Sequence, residues 1–350
     1  MKTRVLIVDD SVFMRTVLKS ALSAADDIDV IATAQNGTEG IKKIAELKPD
    51  VVTLDVEMPG LDGLQVLERV MKERPLPVVM VSTKTQQGAQ TTFDALQLGA
   101  VDYVAKPVGD KSATLGGFRD KVVKAVRTAA ASNRGLLGDK ATAVSPITGG
   151  GDTPQGVVIG IGISAGGPAT LHKMIPAIPT NTPPIVITQH MPAEFTGSFA
   201  KRLNQAARIE VKQAEQGDAL APGCALLAPG SHHLRVAKRS GQLIANLDDG
   251  PKVSGFRPAV DVMFESIATS VGPLAVAVVM TGMGCDGSVG VQMIKKKGGA
   301  TLTQDQATSI VYGMPKAAFE TGCVDRVEPL DRIPAAIYEM MRRTAVPCST

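Results

Sequence analysis

The chain has 350 residues, of which 44% are apolar and 20% are charged, and its net charge is +3. At about 150 residues per domain, this length predicts roughly two domains. The balanced charge argues against a protein that binds nucleic-acid phosphates. Aromatic residues make up only 3% of the chain and Trp is absent, so we expect no surface that stacks single-stranded bases and no nucleic-acid partner.

The cysteines and apolar runs indicate where the protein works. The four cysteines form no C-x-x-C pair and do not lie among clustered histidines, which favours free thiols in a reducing compartment. Apolar runs such as 274–280 are far shorter than a membrane span. The N-terminus turns acidic at Asp9 and Asp10, too early for a secretory signal. We therefore expect a cytoplasmic protein that does not insert into a membrane.

Residues 1–125 alternate strand-like and helix-like segments. Short continuous apolar runs, as buried parallel strands require, occupy 5–8, 51–54 and 77–81. Between them, apolar residues recur at helical spacing, namely Met14, Leu18 and Leu22, and then Leu64, Leu67 and Met71. This alternation predicts a doubly wound α/β domain with a parallel sheet.

The alternation stops at residues 129–154. Of these 26 residues, 17 are Ala, Gly, Ser, Thr or Pro. Such a composition predicts a flexible linker, which we place at 126–155. An ordered surface loop of the second domain is the alternative.

Residues 156–345 are predicted to form a second doubly wound α/β domain, followed by a tail at 346–350. Its clearest predicted strands are 157–163, 184–188 and 274–280. Residues 226–230 and 234–247 favour a hairpin excursion instead, with Ser240 and Gly241 at the turn.

Carboxylates follow two predicted strands of the first domain. Asp9 and Asp10 come directly after one strand, and Asp55 comes after another. Functional groups gather at the carboxyl ends of strands in a doubly wound sheet, and a hard cation such as Mg²⁺ would relieve the repulsion among three carboxylates. Ser82 and Lys106 end two further strands, where a hydroxyl and an ammonium group would hold a phosphoryl group on a carboxylate. For each residue taken alone, a solvated turn or a helix cap is the alternative.

These segments resemble the receiver domain of two-component response regulators. The resemblance covers residues 2–125 and rests on LIVDDS (6–11), LDVEMPGLDG (54–63), VST (81–83) and AKP (105–107). It implies that Asp55 accepts a phosphoryl group from a histidine kinase. The groups that it implies around Mg²⁺ are Asp9, Asp10, Asp55 and the backbone carbonyl of Glu57. The phosphate-sensing residues that it implies are Ser82, Lys106 and, as a rotameric switch, Tyr103.

A G-x-S-x-G pattern centred on Ser164 follows the first strand of the second domain. Residues 160–165 also satisfy a loose dinucleotide-binding fingerprint, but that site needs an acidic residue about 20 positions further on. The chain has Gln189 and His190 there instead. We therefore favour a nucleophile turn, in which small neighbours expose the Ser164 hydroxyl and amides at the helix start stabilise an oxyanion.

A serine nucleophile needs a base that is oriented by an acid. His190 closes the second predicted strand of this domain and Asp286 lies just beyond the 274–280 strand, so both would meet Ser164 at strand carboxyl ends. The order Ser, His, Asp differs from that of classical α/β-hydrolases, which argues against their fold. The remaining candidates are three histidines expected to be structural or exposed, and one rival nucleophile without a marked base: His172, His232, His233 and Cys285.

Residues 156–345 as a whole are similar to the catalytic domain of the CheB family of chemotaxis protein-glutamate methylesterases. The matching stretches are GISAGGP (162–168), QHMP (189–192), FT (195–196), RPAVD (257–261), TGMGCDG (281–287), QD (304–305) and YGMP (312–315). The resemblance maps a catalytic triad onto Ser164, His190 and Asp286. It maps the oxyanion donors onto the backbone amides of Ala165 and Met283.

The two resemblances together imply a phosphorylation-activated carboxylic ester hydrolase. It would remove methyl esters from glutamates of methyl-accepting chemotaxis receptors, and deamidate specific glutamines, through an acyl-enzyme on Ser164 and without a cofactor for this reaction. Phosphorylation of Asp55 would weaken docking of the receiver over the catalytic crevice. The alternatives are a phosphorylation-switched adaptor with a degenerate catalytic domain and a DNA-binding response regulator. The triad residue types argue against the first, and the lack of a basic recognition helix argues against the second.

Overall fold

The computed structural model describes residues 2–82, 86–107, 112–137, 144 and 155–344, and for 82, 86–90, 112–115 and 343–344 it describes the backbone alone. The chain divides into two compact units, Met1–Ala141 and Thr142–Thr350. Within the described residues, none of the helices combines the length and apolar character needed to cross a membrane.

The first unit is a parallel sheet with a helix after each strand. Its elements in chain order are β1 (Thr3–Val8), α1 (Val12–Ser23), β2 (Ile28–Ala34), α2 (Gly37–Leu47), β3 (Val51–Asp55), α3 (Gly63–Glu73), β4 (Val78–Ser82), α4 (Gln86–Gln97), β5 (Asp102–Ala105) and α5 (Ser112–Ala130). The strand order is β2-β1-β3-β4-β5, with every pair parallel. The order reverses between β1 and β3, so the carboxyl ends of these two strands flank the switch point at which such sheets bind ligands. The predicted doubly wound class is confirmed.

The apolar pattern of the first helix explains how it packs. Met14, Leu18 and Leu22 share one face of α1 and are buried. The Ser11 hydroxyl accepts a hydrogen bond from the Met14 N–H at 3.3 Å, which satisfies one of the free amides at the helix start. This cap fixes where the chain leaves the Asp9–Asp10 turn and enters the helix.

The first unit extends past residue 125. Helix α5 continues to Ala130, a 3-10 turn follows at Arg134–Leu136, and Leu137 is buried. The Arg134 guanidinium donates to the Asp50 carboxylate at 3.1 Å. The opening part of the predicted linker is therefore ordered as part of the first unit, with Val126, Ala129 and Leu137 buried. Residues 138–143 and 145–154 of that linker, and the predicted tail, lie outside the described residues.

The second unit is a larger parallel sheet with one hairpin. Its elements are β6 (Val158–Ile163), α6 (Gly167–Met174), β7 (Ile185–Gln189), α7 (Ala193–Ala206), β8 (Glu210–Gln213), β9 (Cys224–Leu227), β10 (His233–Arg239), β11 (Gln242–Asp248), α8 (Val260–Val271), β12 (Ala275–Val279), α9 (Ser288–Lys296), β13 (Ala300–Gln304), α10 (Met314–Glu320), β14 (Arg326–Glu328) and α11 (Ile333–Thr344), with 3-10 turns at Ile175–Ala177 and Gly272–Leu274. Seven strands lie in the order β14-β13-β12-β6-β7-β9-β8, and all of their pairs are parallel. The second predicted α/β domain is thus also a doubly wound parallel sheet.

The predicted hairpin forms only in part. Strands β10 and β11 pair antiparallel around Ser240 and Gly241, whose φ angles of 49° and 83° suit the tight turn of a two-residue hairpin. The expectation for residues 226–230 was wrong in its first half, because Cys224–Leu227 is a strand of the parallel sheet between β7 and β8. All four of its residues are buried, as a strand covered on both faces requires.

Helix α8 lies very close to the central strand β6. A Cβ atom on Gly162 would fall 2.2 Å from Val260 Cγ1, so only glycine permits this approach. The close packing brings the first residues of α8 to the carboxyl ends of β6 and β12. Residues at the start of α8 therefore lie beside the residues that follow β6 and β12.

Candidate active site and candidate phosphorylation site

Three predicted residues of the second unit meet at the carboxyl ends of adjacent strands. Ser164 directly follows β6, His190 directly follows β7, and Asp286 lies in the turn between β12 and α9. His190 Nδ1 lies 3.0 Å from Ser164 Oγ, and His190 Nε2 lies 2.7 Å from Asp286 Oδ2. The side chains form a continuous hydrogen-bonded chain from a hydroxyl through an imidazole to a carboxylate. This is the arrangement that activates a serine nucleophile.

The turn that carries Ser164 is tied to the strand beside it. The Ser164 N–H donates to the Thr281 carbonyl at 2.9 Å. The Thr281 hydroxyl donates in turn to the Ala165 carbonyl, also at 2.9 Å. Gly166 has a φ of 74°, and α6 begins at the next residue. The chain therefore makes a sharp strand-to-helix bend with Ser164 at its start, as a nucleophile turn requires.

The protonation state of the His190 ring follows from its partners. Ionised Asp286 can only accept hydrogen bonds, so Nε2 carries the proton of the neutral ring and Nδ1 accepts from the Ser164 hydroxyl. The two nitrogens thus face their partners in the opposite sense from chymotrypsin-like proteases. The Phe256 ring stacks on the imidazole, with centroids 3.7 Å apart and planes 5° from parallel.

Asp286 is held by the start of helix α8. Its Oδ2 accepts from the Val260 N–H at 2.8 Å, and its Oδ1 accepts from the Asp261 N–H at 2.9 Å. Burial opposes ionisation of this carboxyl, but the hydrogen bonds from His190 and the two amides outweigh it and lower the pKa of Asp286. The group is therefore a carboxylate at neutral pH, and it can accept the hydrogen bond from His190 Nε2.

A second buried carboxyl, which sequence reasoning did not single out, completes this cluster. Asp261 Oδ1 accepts from the Gly287 N–H at 2.9 Å and from the Gly290 N–H at 2.7 Å, at the start of α9. The Asp286 carboxylate therefore caps the start of α8, the helix that carries Asp261. The Asp261 carboxylate in turn caps the start of α9, the helix that follows Asp286. Burial and the nearby Asp286 charge raise the pKa of Asp261 to about 6. The sequence signal was only its place in the RPAVD stretch.

The predicted oxyanion donors are the backbone amides of Ala165, the residue after Ser164, and of Met283, in the segment between β12 and α9. Among the described residues, the Ala165 N–H donates no hydrogen bond. Met283 lies in the Asp286 turn, and a Cβ on its neighbour Gly282 would approach Ser164 Cβ to 2.7 Å. The turn thus passes directly beside Ser164. The role of both amides stays a prediction.

A second Ser-His-Asp set lies at the protein surface. Ser231 Oγ is 2.8 Å from His232 Nδ1, and His232 Nε2 is 3.1 Å from Asp249 Oδ1. These contacts copy those of Ser164, His190 and Asp286, but the side chains of His232 and Asp249 are 37% and 78% exposed. Water competes for every hydrogen bond here, and Ser231 does not lie at the start of a helix. The surface set therefore lacks both the low exposure of the His190 and Asp286 side chains and the strand-to-helix turn that carries Ser164.

The remaining candidates have structural surroundings. His233 is buried, and its two ring nitrogens lie 3.0 Å from the Pro251 carbonyl and 3.2 Å from the Ala259 N–H. Burial first, and then nearby cationic side chains, lower the pKa of the half-buried His172. Cys285 is exposed, and no histidine in the described residues is hydrogen-bonded to its sulfur. None of the three forms a nucleophile–base pair.

Carboxylates of the first unit converge at the switch point of its sheet. Carboxylate oxygens of Asp9, Asp10 and Asp55 lie within 4.8 Å of one another. Lys106 Nζ lies 2.7 Å from Asp55 Oδ2 and 3.2 Å from Asp9 Oδ2. Asp9 and Asp55 are buried while Asp10 is exposed. An all-oxygen set that is open to water on one side fits Mg²⁺, which keeps several of its waters.

Burial and the interactions among these charged groups shift the pKa values of Asp9, Asp55 and Lys106. Burial first, and then the Asp9 charge, raise the pKa of Asp55 to about 6. Burial also raises the pKa of Asp9. Burial disfavours the charged form of Lys106, but its ion pairs with the two carboxylates outweigh this and raise the pKa of Lys106. The ammonium group is therefore the charge that holds the two buried carboxylates together.

For the other residues predicted at this site, the structure gives the position on the fold but few side-chain contacts. The Glu57 N–H donates to Asp55 Oδ1 at 3.3 Å, which places the Glu57 backbone beside the carboxylate. Ser82 ends β4 and pairs with Ala105, the residue before Lys106, while its side chain lies outside the described atoms. Tyr103 is half-buried on β5. The metal and phosphate-sensing roles of these residues stay predictions.

Comparisons with known proteins match both units. Residues 159–337 match the CheB methylesterase family, and residues 5–114 match the response regulator receiver domain. A protein from Pyrococcus abyssi named protein-glutamate methylesterase/protein-glutamine glutaminase is 44% identical over 354 residues, covering 97% of this chain and 95% of its own length. A protein of the same name from Sulfurimonas denitrificans is 45% identical over 348 residues, covering 97% of this chain and 99% of its own.

A solved structure resembles the second unit. The crystal structure of the Thermotoga maritima CheB methylesterase catalytic domain has a TM-score of 0.52 and 40% sequence identity to this chain. The match covers 53% of this chain and 98% of that structure. The similarity therefore spans a complete catalytic domain.

Proposed function

This chain belongs to the CheB methylesterase family, and we propose that it hydrolyses methyl esters of glutamate side chains on methyl-accepting chemotaxis receptors and deamidates specific receptor glutamines. Its 44% and 45% identical relatives are named for both activities. The observation that carries the proposal is the Ser164–His190–Asp286 chain of hydrogen bonds at adjacent strand ends. A cytoplasmic location is part of the same proposal.

In the first half of the reaction, Ser164 Oγ attacks the ester carbonyl carbon while His190 Nδ1 takes the hydroxyl proton. The Oγ–C bond forms and the carbonyl electrons move to oxygen, where the Ala165 and Met283 amides donate hydrogen bonds to the oxyanion. The tetrahedral intermediate collapses, the bond to the methoxy oxygen breaks, and the proton on Nδ1 leaves with methanol. Asp286 stabilises the imidazolium that forms between these two transfers.

In the second half, water replaces the leaving group. His190 Nδ1 takes a proton from water as the oxygen attacks the acyl-enzyme carbonyl, and the proton returns to Ser164 Oγ when the ester bond breaks. The product is a glutamic acid side chain, which releases its remaining proton to solvent and adds negative charge to the receptor as a carboxylate. With a glutamine substrate, the same steps release ammonia instead of methanol, so one site performs both reactions.

Regulation by the receiver domain is the second part of the proposal. Asp55 accepts a phosphoryl group from a histidine kinase, and the resulting phosphoprotein has higher esterase activity. Mg²⁺, held by Asp9, Asp10, Asp55 and the Glu57 carbonyl, would offset the negative charge of the incoming phosphoryl group. The 2.7 Å distance between Lys106 Nζ and Asp55 Oδ2 supports a role in which Lys106 would contact that group once it is attached.

Isotope labelling tests the proposed chemistry. Methylated receptor fragments are incubated with the full chain in ¹⁸O-water, and the peptides are analysed by mass spectrometry. The proposal predicts loss of the methyl group with ¹⁸O in the glutamate carboxylate, and conversion of selected glutamines to ¹⁸O-labelled glutamate. Methanol that carries the ¹⁸O would contradict attack at the acyl carbon. Receptor binding without any conversion would favour the adaptor alternative.

A further inference from the structure

One side chain joins the backbones of the nucleophile and the base. Gln189 is the last residue of β7, and it is 2% exposed. Its Nε2 donates to the Ser164 carbonyl at 2.9 Å and to the His190 carbonyl at 3.2 Å. A primary amide nitrogen has two hydrogens, so its whole donor capacity is used, with one hydrogen bond to each of the two residues.

These two hydrogen bonds lie at the end of the backbone pairing between β6 and β7. The β6–β7 register ends at the pair Ile163 and Gln189, and the His190 N–H donates to the Ile163 carbonyl at 3.2 Å. Ser164 lies one residue beyond that pair and forms no further ladder bond with β7. The Gln189 side chain therefore continues the cross-strand connection to the residue that carries the hydroxyl.

The oxygen of the Gln189 amide has an unfavourable environment. Gln189 Oε1 is buried and accepts no hydrogen bond within the part of the chain that the structure describes. A buried acceptor without a partner is destabilising, and an apolar side chain of similar length would avoid this penalty. The two hydrogen bonds that Nε2 donates therefore explain why a polar side chain, and not an apolar one, occupies this buried position.

The neighbouring glycine makes room for this amide. A Cβ on Gly167 would lie 2.0 Å from Gln189 Oε1 and 3.0 Å from its Cδ. The φ of Gly167 is not in the left-handed region, so space alone explains the glycine. The Gly167 N–H also donates to the Ser164 carbonyl at 2.8 Å, so that carbonyl is fixed from two sides.

We propose that Gln189 is a positioning residue, which sets the separation between Ser164 Oγ and His190 Nδ1 by fixing the carbonyl groups of both residues. The inference rests on the proposed hydrolase function. It concerns geometry and not contact with substrate. A displacement of about 1 Å between reacting groups is enough to slow an enzyme about 100-fold.

The test replaces the amide by an apolar side chain of similar length. Gln189→Met in the full chain is predicted to lower kcat for ester hydrolysis about 10- to 100-fold. KM is predicted to stay within about 2-fold of wild type, because the substitution removes no contact with the bound substrate. Gln292→Met, which makes the same change on an exposed position of α9, is the matched control and keeps both constants. An unchanged kcat in Gln189→Met overturns the proposal.

A double-mutant cycle separates positioning from simple loss of packing. Gly167→Ala forces the Gln189 amide aside and is predicted to lower kcat about 10-fold. In a Gln189→Ala background only the 3.0 Å approach of the new Cβ to Ile163 Cγ1 remains, so the same substitution is predicted to have a smaller effect. Equal effects of Gly167→Ala in both backgrounds overturn the proposal.

A spectroscopic measurement decides the question without turnover. The ¹⁵N resonances of the His190 ring report its hydrogen bonds to Ser164 and Asp286, and they are predicted to shift in Gln189→Met but not in Gln292→Met. If wild type lacks ester hydrolysis, the proposed function fails, and the ring resonances still test the inference. Unshifted resonances in a folded Gln189→Met, or in Gln189→Asn if the first variant does not fold, overturn it.

Discussion

The imidazole of His190 lies flat against the ring of Phe256, with a centroid separation of 3.7 Å and an interplanar angle of 5°. The two ring nitrogens need a fixed plane to reach Ser164 and Asp286 at the same time. Phe256 supplies that plane from the segment before α8, far from both strands in sequence. The stacked pair therefore restrains the rotation that would break the hydrogen-bonded chain.

Loss of this stacking is predicted to weaken catalysis without abolishing it. An aromatic pair contributes about 0.5–1.5 kcal/mol beyond its area, so Phe256→Leu is expected to lower kcat roughly 2- to 12-fold. Phe256→Tyr keeps the ring and is the control. Steady-state kinetics on a methylated receptor fragment measure both variants. A leucine variant as fast as the tyrosine variant would show that the ring plane is fixed by other contacts.

Asp286→Asn is predicted to lower kcat by about 10⁴-fold, the scale seen when a triad aspartate loses its charge. The asparagine cannot act as the anionic partner of Nε2, and its amide nitrogen would face a backbone N–H of Val260 or Asp261. Asp249→Asn makes the same change in the exposed Ser231–His232–Asp249 set. It is the matched control and is expected to have wild-type kcat. A comparable loss in the control would contradict the assignment of Ser164, His190 and Asp286 as the catalytic set.

Asp261 predicts a specific pH dependence of stability. Its pKa in the folded protein is about 6, above the ordinary value of about 3.9. The folded state therefore binds the proton more tightly than the unfolded state, and this group contributes stability that is present at pH 4 and lost as the pH rises through 6. Asp261→Asn cannot titrate, so wild type is expected to gain unfolding free energy relative to it between about pH 7 and 4. Calorimetry of the second unit's transition measures this difference, and parallel pH profiles would contradict the raised pKa.

Phosphorylation is predicted to depend on Asp55 and on the cation site. With Mg²⁺ and a small phosphodonor, wild type is expected to form a phosphoaspartate and to hydrolyse esters faster, whereas Asp55→Asn is expected to do neither. Asp26→Asn, an exposed position of the same unit, is the control and is expected to respond like wild type. Mass analysis of the intact protein and initial rates are measured in parallel, with and without a chelator. A faster rate in Asp55→Asn after the phosphodonor would contradict the assignment.

The sequence predicts the positions of Ser164, His190 and Asp55 because each follows an apolar run of strand length, and strand ends in a parallel sheet converge. It does not predict Asp261, Gln189 or Phe256 as parts of the site. Their roles depend on which helix packs on which strand, and Gly162 controls this through its close contact with Val260. The parallel strand Cys224–Leu227 was missed for a related reason, because four apolar residues fit a hairpin and a buried strand equally well.

The central claim is that Ser164 is the nucleophile that removes methyl groups from receptor glutamates, and methanol release tests it most directly. Receptor membranes that carry labelled methyl esters are incubated with phosphodonor-treated full-length protein, either wild type or Ser164→Ala. We predict methanol release by wild type and a rate several orders of magnitude lower for Ser164→Ala, with the fold preserved by circular dichroism. Methanol release by Ser164→Ala at the wild-type rate would contradict the account.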